Sequence, residues 1–273
     1  MALTITLFFT SLIDVQKKRT KGNTMKIGLF IPCFMNELYP EVCVSTLEIL
    51  KKLEFDVHYP MEQTCCGQPM ANTGCGSDVK GLAHKFVNTF KEYDYIVAPT
   101  GSCVTMVKEH YDPFFEENDK DYLKVKTSIF EICEFLHDIV KIEKLDISFP
   151  YKVGVHNSCH GHRVLKLASP SELNIPHYSK LKNLLSLIPD IQIMDLKRDD
   201  ECCGFGGTFC VTEPEISASM GNDRVNDHID SGVQVMTGAD MSCLMHMDGL
   251  VNKNNQSLKI MHIVEILAGR LPS

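Results

Sequence analysis

The chain has 273 residues, 44% apolar and 23% charged, a balance typical of a folded globular protein rather than a disordered or fibrous one. Lysine and arginine number 27 against 35 aspartate and glutamate residues, so the net charge of −8 disfavours nucleic acid and anionic membranes as partners. No run of 18 apolar residues occurs, which argues against a transmembrane span.

Residues 1–24 precede the first strand that the sequence predicts. Residues 1–13 are apolar, and a basic run over residues 17–21 follows them. A secretory signal has the opposite order and ends in a cleavage site of small residues. We therefore expect residues 1–24 to be a poorly structured extension and the protein to be cytoplasmic, with membrane or export targeting as the alternative.

The first repeat of predicted elements begins at Met25. Apolar strands alternate in it with amphipathic helices, and cysteines follow the strands. The elements are a strand over residues 26–34 that contains Cys33, a helix over 41–53, a strand over 55–60, the tripeptide Cys65-Cys66-Gly67, a helix over 79–90, a strand over 93–103 that ends at Cys103, and an apolar helix over 128–136.

The same order returns from Tyr151 onward. The second repeat consists of a strand over residues 151–160 that contains Cys159, a helix over 181–187, a strand over 191–196, the tripeptide Cys202-Cys203-Gly204, a helix over 216–228, a strand over 233–243 that ends at Cys243, and an apolar segment over 261–269. We expect the first domain to occupy residues 25–137 and the second residues 150–273, because the polar stretch between them is the natural boundary.

The spacing of the cysteines supports an old duplication. In the first repeat 31 residues separate Cys33 from Cys65, and 36 separate Cys66 from Cys103; the corresponding intervals in the second repeat are 42 and 39 residues. Strands that alternate with helices indicate parallel sheets with helices on their faces. The expected fold is α/β, with two pseudo-repeated Rossmann-like domains, mostly parallel sheets, and close packing between the two halves.

Twelve cysteines indicate either a disulfide framework or a metal or redox site, and reduced cytoplasmic thiols favour the second. Ligand sites in open α/β sheets form beyond the carboxyl ends of strands, and a glycine after two adjacent cysteines permits the turn that lets both face one metal. Four thiolates suit an iron–sulfur cluster or zinc. The predicted ligands are Cys33, Cys65, Cys66 and Cys103 in the first half, and Cys159, Cys202, Cys203 and Cys243 in the second.

The twice-repeated pattern resembles the cysteine-rich CCG domain family, which includes iron–sulfur subunits of heterodisulfide reductase, glycolate oxidase and lactate-utilization systems. The likeness covers nearly all residues from Met25 onward and is carried by residues 64–69, 99–103, 201–209, 238–243 and 261–267, closest to the lactate-utilization branch.

This resemblance implies one or two clusters of the 4Fe-4S type in an oxidoreductase subunit that is inactive without its partners. It further implies oxidation of a small 2-hydroxy acid, L-lactate to pyruvate, together with a ferredoxin-type iron–sulfur protein and a third subunit. No catalytic residue is assigned. The sequence itself contains no ferredoxin cysteine run and no dinucleotide fingerprint, which agrees with electron transfer to a partner.

The sequence departs from the fullest family pattern at the end of each repeat. Met106 and His246 stand where the family has a last cysteine, which puts a five-cysteine cluster in doubt in both halves. His246 is a candidate ligand of a mixed site, and zinc is an alternative in one half. Heterodisulfide reductase-like or glycolate oxidase-like activity, and a zinc-stabilised scaffold without redox function, also stay open.

Several other cysteines and histidines are not predicted to bind metal. The histidines near the first cysteine of the second repeat are expected to stack on a strand end or to bond a carbonyl group; they are His156, His160 and His162. Cys43, Cys133 and Cys210 are expected to be buried as small apolar side chains, and Cys75 is left outside the core set.

Overall fold

The structure is a computed structural model that describes residues 13–14 and 25–272. The extension predicted over residues 1–24 lies outside the described residues, apart from a two-residue strand, β1 (Ile13–Asp14). This strand pairs antiparallel with β6 (Lys144–Leu145). The predicted domain limits, 25–137 and 150–273, stay a prediction.

Strands and helices alternate through both halves, as the sequence predicts. The remaining strands are β2 (Lys26–Leu29), β3 (Asp56–His58), β4 (Tyr95–Ala98), β5 (Ile129–Glu131), β7 (Lys152–His156), β8 (Gln192–Ile193), β9 (Val235–Gly238) and β10 (Lys259–His262). The helices of the first half are α1 (Cys33–Leu38), α2 (Pro40–Lys52), α3 (Gln68–Asn72), α4 (Lys80–Phe90), α5 (Gly101–Glu109), α6 (Lys120–Ser128) and α7 (Ile132–Glu134). Those of the second half are α8 (Lys180–Leu185), α9 (Phe209–Thr212), α10 (Pro214–Asp230), α11 (Met241–Lys253) and α12 (Ile263–Leu267).

Each half is built on a four-stranded parallel sheet. The strand order is β3-β2-β4-β5 in the first half and β8-β7-β9-β10 in the second, with parallel pairing throughout both sheets. This arrangement confirms the predicted α/β fold of two pseudo-repeated domains with parallel sheets. Among the described helices, none combines the length and the apolar character that a bilayer span requires.

The register of the sheets defines which positions of the two halves correspond. Leu29 lies opposite Val97 in the first sheet, and Val155 lies opposite Thr237 in the second. Val97 and Thr237 each precede the last predicted ligand of their half, Cys103 or Cys243, by six residues. Leu29 and Val155 are therefore equivalent, and neighbouring positions can be compared by their offset from them.

Helix α2 shows how the sequence pattern produces the layers. Its buried residues recur at intervals of three and four, which places them along one face of the helix: Val42, Ser45, Thr46, Ile49 and Leu50. Another part of the first-half core is aromatic. There Phe30 lies edge-on to Phe86, with 4.9 Å between the ring centroids. These contacts cover both faces of the parallel sheet, as such sheets require.

The apolar segment over residues 128–136 differs from the helix that its sequence predicts. Residues 129–131 form strand β5 beside β4, and the helix begins only at Ile132 and continues as a π-helical turn over Phe135–Val140. A short apolar run does not distinguish a buried strand from a helix, and pairing with β4 decides the outcome here.

The two halves exchange their closing helices. Helix α7 at the end of the first half packs against α8 of the second, and α12 at the end of the second packs against α2 of the first. An ion pair between Arg270 and Glu48, 2.9 Å from Nη2 to Oε2, accompanies the second contact. The prediction of closely packed halves is confirmed by these contacts.

Candidate metal centre

Each Cys-Cys-Gly turn depends on its glycine. Gly67 and Gly204 have φ angles of 89° and 82°, a region that side chains disfavour. A Cβ on Gly67 would lie 2.6 Å from Cγ1 of Val79, and one on Gly204 would lie 2.7 Å from the carbonyl oxygen of Ser217. The glycines are therefore required both for the backbone conformation and for the close packing beneath the turn.

In each Cys-Cys-Gly turn, the thiol of the first cysteine lies close to the backbone of the turn itself. The N–H of Gly67 donates to Sγ of Cys65 at 3.4 Å, and the N–H of Gly204 donates to Sγ of Cys202 at the same distance. Tyr111 fixes the first turn by donating its hydroxyl proton to the carbonyl oxygen of Cys66 at 2.8 Å. Backbone amides aimed at sulfur stabilise a thiolate and hold it in place.

The four cysteines predicted in the first half come together. Cys33 and Cys66 both hydrogen-bond to Cys65, and Cys66 also reaches Cys103. Hydrogen bonds first from Cys33, then from Cys66 and the turn amide, lower the pKa of Cys65 to about 2. The same contact with Cys65, together with burial, raises the pKa of Cys33. One thiolate therefore forms readily in a group of thiols held within hydrogen-bonding distance.

The second half repeats this arrangement with its own four cysteines. Cys159 and Cys203 hydrogen-bond to Cys202, and Cys203 also reaches Cys243. The bond from Cys159 is the largest cause that lowers the pKa of Cys202 to about 2. All eight cysteines selected from the sequence thus lie in two groups of four.

Three of the predicted ligands lie at the N-terminal ends of helices rather than within the strands. Cys33 is the first residue of α1, and Cys103 and Cys243 are each the third residue of their helix. The predicted strand up to Cys103 ends earlier, at Ala98. Helix N-termini favour negative charge, so their position suits thiolate ligands.

Burial differs across each group. Cys66 and Cys203 are each 2% exposed, whereas Cys33 is exposed at the rim of the first group. The buried thiols keep water from one side of the centre, and the exposed thiol leaves the other side open. The first group is therefore open to solvent on the side of Cys33.

The cysteines left outside the predicted set have other surroundings. Cys133 is fully buried in α7, Sγ of Cys43 donates to the carbonyl oxygen of Tyr39 at 3.6 Å, and Sγ of Cys210 donates to that of Gly207 at 3.0 Å. Cys75 is exposed. Cys133 is thus buried as predicted, whereas Cys43 and Cys210 are only partly buried, because each lies at the edge of its helix and bonds a backbone carbonyl group there.

His246 contacts helix α10. Its Nε2 lies 3.2 Å from the carbonyl oxygen of Ser217 and 3.5 Å from the Oγ of the same residue. Met106, at the corresponding place in the first half, is buried. Nε2 of His246 thus already has a hydrogen-bond partner, and the role of His246 as a ligand stays a prediction.

His156 is the functional candidate that sequence reasoning missed. A ring nitrogen of His156 and the sulfurs of Cys203 and Cys243 all lie within 4.8 Å of one another. His156 is 1% exposed, and neither ring nitrogen has a hydrogen-bond partner among the described residues. The hydrogen bond to a carbonyl group that we expected of these histidines occurs at His162, whose Nδ1 lies 2.8 Å from the carbonyl oxygen of Ser158.

A buried arginine lies near His156. Arg224 is fully buried, and its Nη1 donates to Asp227 Oδ2 at 2.9 Å. Burial is the main cause that lowers the pKa of His156 well below its ordinary value, and the charge of Arg224 adds to it. His156 is therefore neutral at pH 7, and a neutral imidazole can bind a metal ion.

Asp240 joins the two centres. Its Oδ2 accepts from the backbone N–H of Ser102 at 2.7 Å, and its Oδ1 accepts from the hydroxyl of Ser242 at 2.6 Å. Ser102 directly precedes Cys103, and Ser242 directly precedes Cys243. One buried carboxylate therefore holds the N-terminal ends of both cysteine-bearing helices, α5 and α11.

A cavity of about 490 Å³ lies between the start of α2 and the second half. The carboxylates of Glu41, Asp248 and Glu265 line it, with Lys259 as a counter-charge. Burial raises the pKa of Asp248 and of Glu265. An acidic cavity of this kind does not favour a small carboxylate anion.

The donor atoms of the two groups match a definite class of metal centre. Each group contains four soft sulfur donors, and one sulfur of each receives a backbone N–H bond. Such donors fit iron–sulfur clusters, whose sulfurs commonly accept amide hydrogen bonds, and they also fit zinc. The fold and the site thus define a duplicated α/β protein with a group of four thiols in each half, a donor set suited to a metal or an iron–sulfur cluster.

The profile of a cysteine-rich domain, CCG, matches residues 27–108 and 153–248. The chain belongs to this family of cysteine-rich CCG domain proteins. It is similar to lactate utilization protein A 1 of Bacillus mycoides (strain KBAB4), with 34% identity over 89% of this chain and 96% of that protein. It is also similar to lactate utilization protein A of Exiguobacterium sp. (strain ATCC BAA-1283 / AT1b), with 35% identity over 88% and 96%.

Among solved structures, a hypothetical protein from Helicobacter pylori has a similar fold. The TM-score is 0.55 at 9% identity, and the match covers 94% of this chain and 51% of that chain. At this identity the likeness concerns the fold alone.

Proposed function

We propose that this chain is an iron–sulfur electron-transfer subunit of a complex that oxidises L-lactate to pyruvate. The observation that carries the proposal is the pair of four-cysteine groups, each built on a Cys-Cys-Gly turn, in a chain whose relatives are named for lactate utilization. When bound there, clusters of the 4Fe-4S type supply one-electron transfer.

The protein residues hold and shield these centres. Cys33, Cys65, Cys66 and Cys103 are the ligands that we assign in the first half, and Cys159, Cys202, Cys203 and Cys243 those in the second. Gly67 and Gly204 provide the turns, and their N–H groups bond the first thiol of each pair. Amide bonds to sulfur and exclusion of water are the means by which a protein adjusts the potential of such a centre.

The oxidation of the hydroxy acid belongs, on this proposal, to companion subunits. The acidic lining of the large cavity disfavours a lactate anion. The exposed position of Cys33 suits electron exchange with a docked protein. We propose as partners a ferredoxin-type iron–sulfur protein and a third subunit, and we propose the cytoplasm, where the cysteines stay reduced, as the location.

One observation favours zinc in the second half. His156, Cys203 and Cys243 offer one nitrogen and two sulfurs within 4.8 Å, and zinc accepts such mixed ligand sets. A zinc-stabilised second half beside an iron–sulfur first half is therefore the second candidate. Metal analysis distinguishes it from the first.

The test is the iron, sulfide and zinc content of the protein purified without oxygen, with EPR spectra after reduction. We expect about eight iron atoms per chain if both halves hold 4Fe-4S clusters, and about four if the second holds zinc. Cys66→Ser should remove the first-half signal. Cys43→Ser is the matched control, because Cys43 bonds the Tyr39 carbonyl group outside the centre. Colourless protein that contains zinc alone would contradict the proposal.

The lactate part of the proposal has its own measurement. The purified complex with its companion subunits should reduce the centres of this chain when L-lactate is added, and it should not do so with Cys66→Ser in the first half. Complexes that oxidise lactate at an unchanged rate when this chain is omitted would reject the role.

A further inference from the structure

The second-half centre contains a possible ligand beyond its four cysteines. His156 ends strand β7, and one of its ring nitrogens lies within 4.8 Å of the sulfurs of both Cys203 and Cys243. A histidine that is 1% exposed normally has a hydrogen-bond partner for its ring nitrogens. Neither nitrogen of His156 has one among the described residues, which leaves the ring free to bind a metal.

The first half has no counterpart to this imidazole. Phe30 is the equivalent of His156, because each residue follows the equivalent positions Leu29 and Val155 by one step. Phe30 is fully buried and packs edge-on against Phe86. The same place in the duplicated fold therefore holds an inert ring in one half and a nitrogen donor in the other.

His246 does not fill this role. Its Nε2 faces the carbonyl oxygen and the hydroxyl group of Ser217 in helix α10. The sequence made His246 the candidate because it follows Cys243 by three residues, but in the structure its Nε2 is bonded to Ser217 and the group of close ligand atoms contains His156 instead.

We infer that His156 is a ligand of the second-half metal centre, where its imidazole binds beside the thiolates of Cys203 and Cys243. This inference rests on the proposed function for the identity of the metal as iron. The first-half centre has thiolate ligands alone. The two centres of this duplicated protein are thus chemically different.

The difference predicts an order of reduction potentials. An iron–sulfur centre with imidazole among its ligands has a higher potential than one with thiolate ligands alone. Electrons that enter at the first half would therefore move toward the second.

The test uses protein labelled with ¹⁵N-histidine, reduced and examined by pulsed EPR. We expect a ¹⁵N coupling in the wild type and its loss in His156→Phe, which installs the residue that the first half already tolerates. His246→Gln is the matched control and should retain the coupling. The midpoint potential of the second-half centre should fall in His156→Phe.

Two further measurements keep the test decisive. His156→Cys supplies a thiolate at the same place, so it should restore metal binding without the ¹⁵N coupling if His156→Phe does not fold. The inference is overturned if both halves contain iron and the wild type shows no ¹⁵N coupling, or if the coupling persists in His156→Phe.

Failure of the proposed function is recognised separately, by the absence of iron from both halves. In a protein that holds zinc in the second half, the zinc content becomes the readout. Loss of that zinc in His156→Phe supports the ligand assignment, and full retention in that variant rejects it.

Discussion

The backbone N–H of Ser102 donates a 2.7 Å hydrogen bond to Oδ2 of Asp240, across 138 positions of sequence and between the two halves. The same carboxylate is 2% exposed and also accepts from the hydroxyl of Ser102 and from the amide and hydroxyl of Ser242. Four donors therefore converge on one buried side chain, and they belong to the residues that precede Cys103 and Cys243.

Asp240→Asn should destabilise the metal-free protein by about 1–3 kcal/mol, because an amide offers one acceptor oxygen to these donors and leaves buried donors unsatisfied. Urea unfolding followed by circular dichroism measures the loss. Asp119→Asn is the matched control, since Asp119 caps helix α6 through Tyr122 N within the first half, and asparagine caps equally well. Equal effects of the two substitutions would contradict the bridging role of Asp240.

Gly204→Ala should disrupt the second centre. The substitution adds the strain of a positive φ, roughly 1–2 kcal/mol, to a contact of 2.7 Å with the backbone oxygen of Ser217. Gly74 has a similar φ of 84°, but a Cβ added there would have nothing within 4 Å. Gly74→Ala is therefore the control that measures the backbone strain alone. We expect about half of the bound metal to be lost in Gly204→Ala and none in Gly74→Ala. Full metal content in Gly204→Ala would refute the packing argument.

Glu131 should make the stability of the fold depend on pH. Burial raises its pKa from 4.5 to about 8, although backbone N–H groups of Cys133 and Glu134 donate to Oε2. The folded state therefore keeps a proton that the unfolded state releases above pH 4.5. The stabilisation is complete below pH 4.5 and is lost as the pH rises to 8.

Glu131→Gln mimics the protonated carboxyl group and should remove this dependence. Relative to the variant, the wild type should lose stability from pH 5 to pH 8, by at most about 5 kcal/mol. The free energy of unfolding in urea at several pH values gives the difference. A difference that is constant over this range would show that Glu131 is ionised in the folded protein.

Arg224→Met should be far more costly than removal of an exposed ion pair. Arg224 and Asp227 are 0% and 2% exposed, so the substitution leaves a buried carboxylate without its cation, at a cost of about 3–5 kcal/mol. Arg163→Met removes an exposed pair with Glu172 and should cost far less, because solvent screens that pair. Thermal unfolding compares the two variants. A small effect at Arg224 would mean that Asp227 is adequately held by the N–H groups of Lys197 and Arg198.

The repeat was predictable because its signals are local. Each half shows apolar strands followed by cysteines, and the glycine after each cysteine pair has the positive φ that its turn implied. Helix α2, expected over residues 41–53, occupies Pro40–Lys52. Strand β5 was not predictable, because its few apolar residues fit a helix equally well until β4 lies beside them.

The missed features depend on contacts between distant residues. His156 precedes Cys203 by 47 positions, and its metal-binding geometry arises only when the second sheet forms. The bond from Ser102 to Asp240 requires the two halves to be packed together. His246 is a case in which nearness in sequence was misleading as a guide to contacts. It follows Cys243 closely in the chain, but its Nε2 lies beside Ser217 in the structure.

The packing of α7 on α8 and of α12 on α2 determines how the chain can be divided. If the chain were cut between residues 137 and 150, each fragment would expose apolar residues that the other fragment covers in the intact protein. Ile263 and Leu267 of α12 are buried residues of this kind. Neither fragment is therefore expected to be stable alone, and mixing the two should restore both. Two copies of a single repeat would meet the same requirement by exchanging their last helices, which is the arrangement of a domain-swapped dimer.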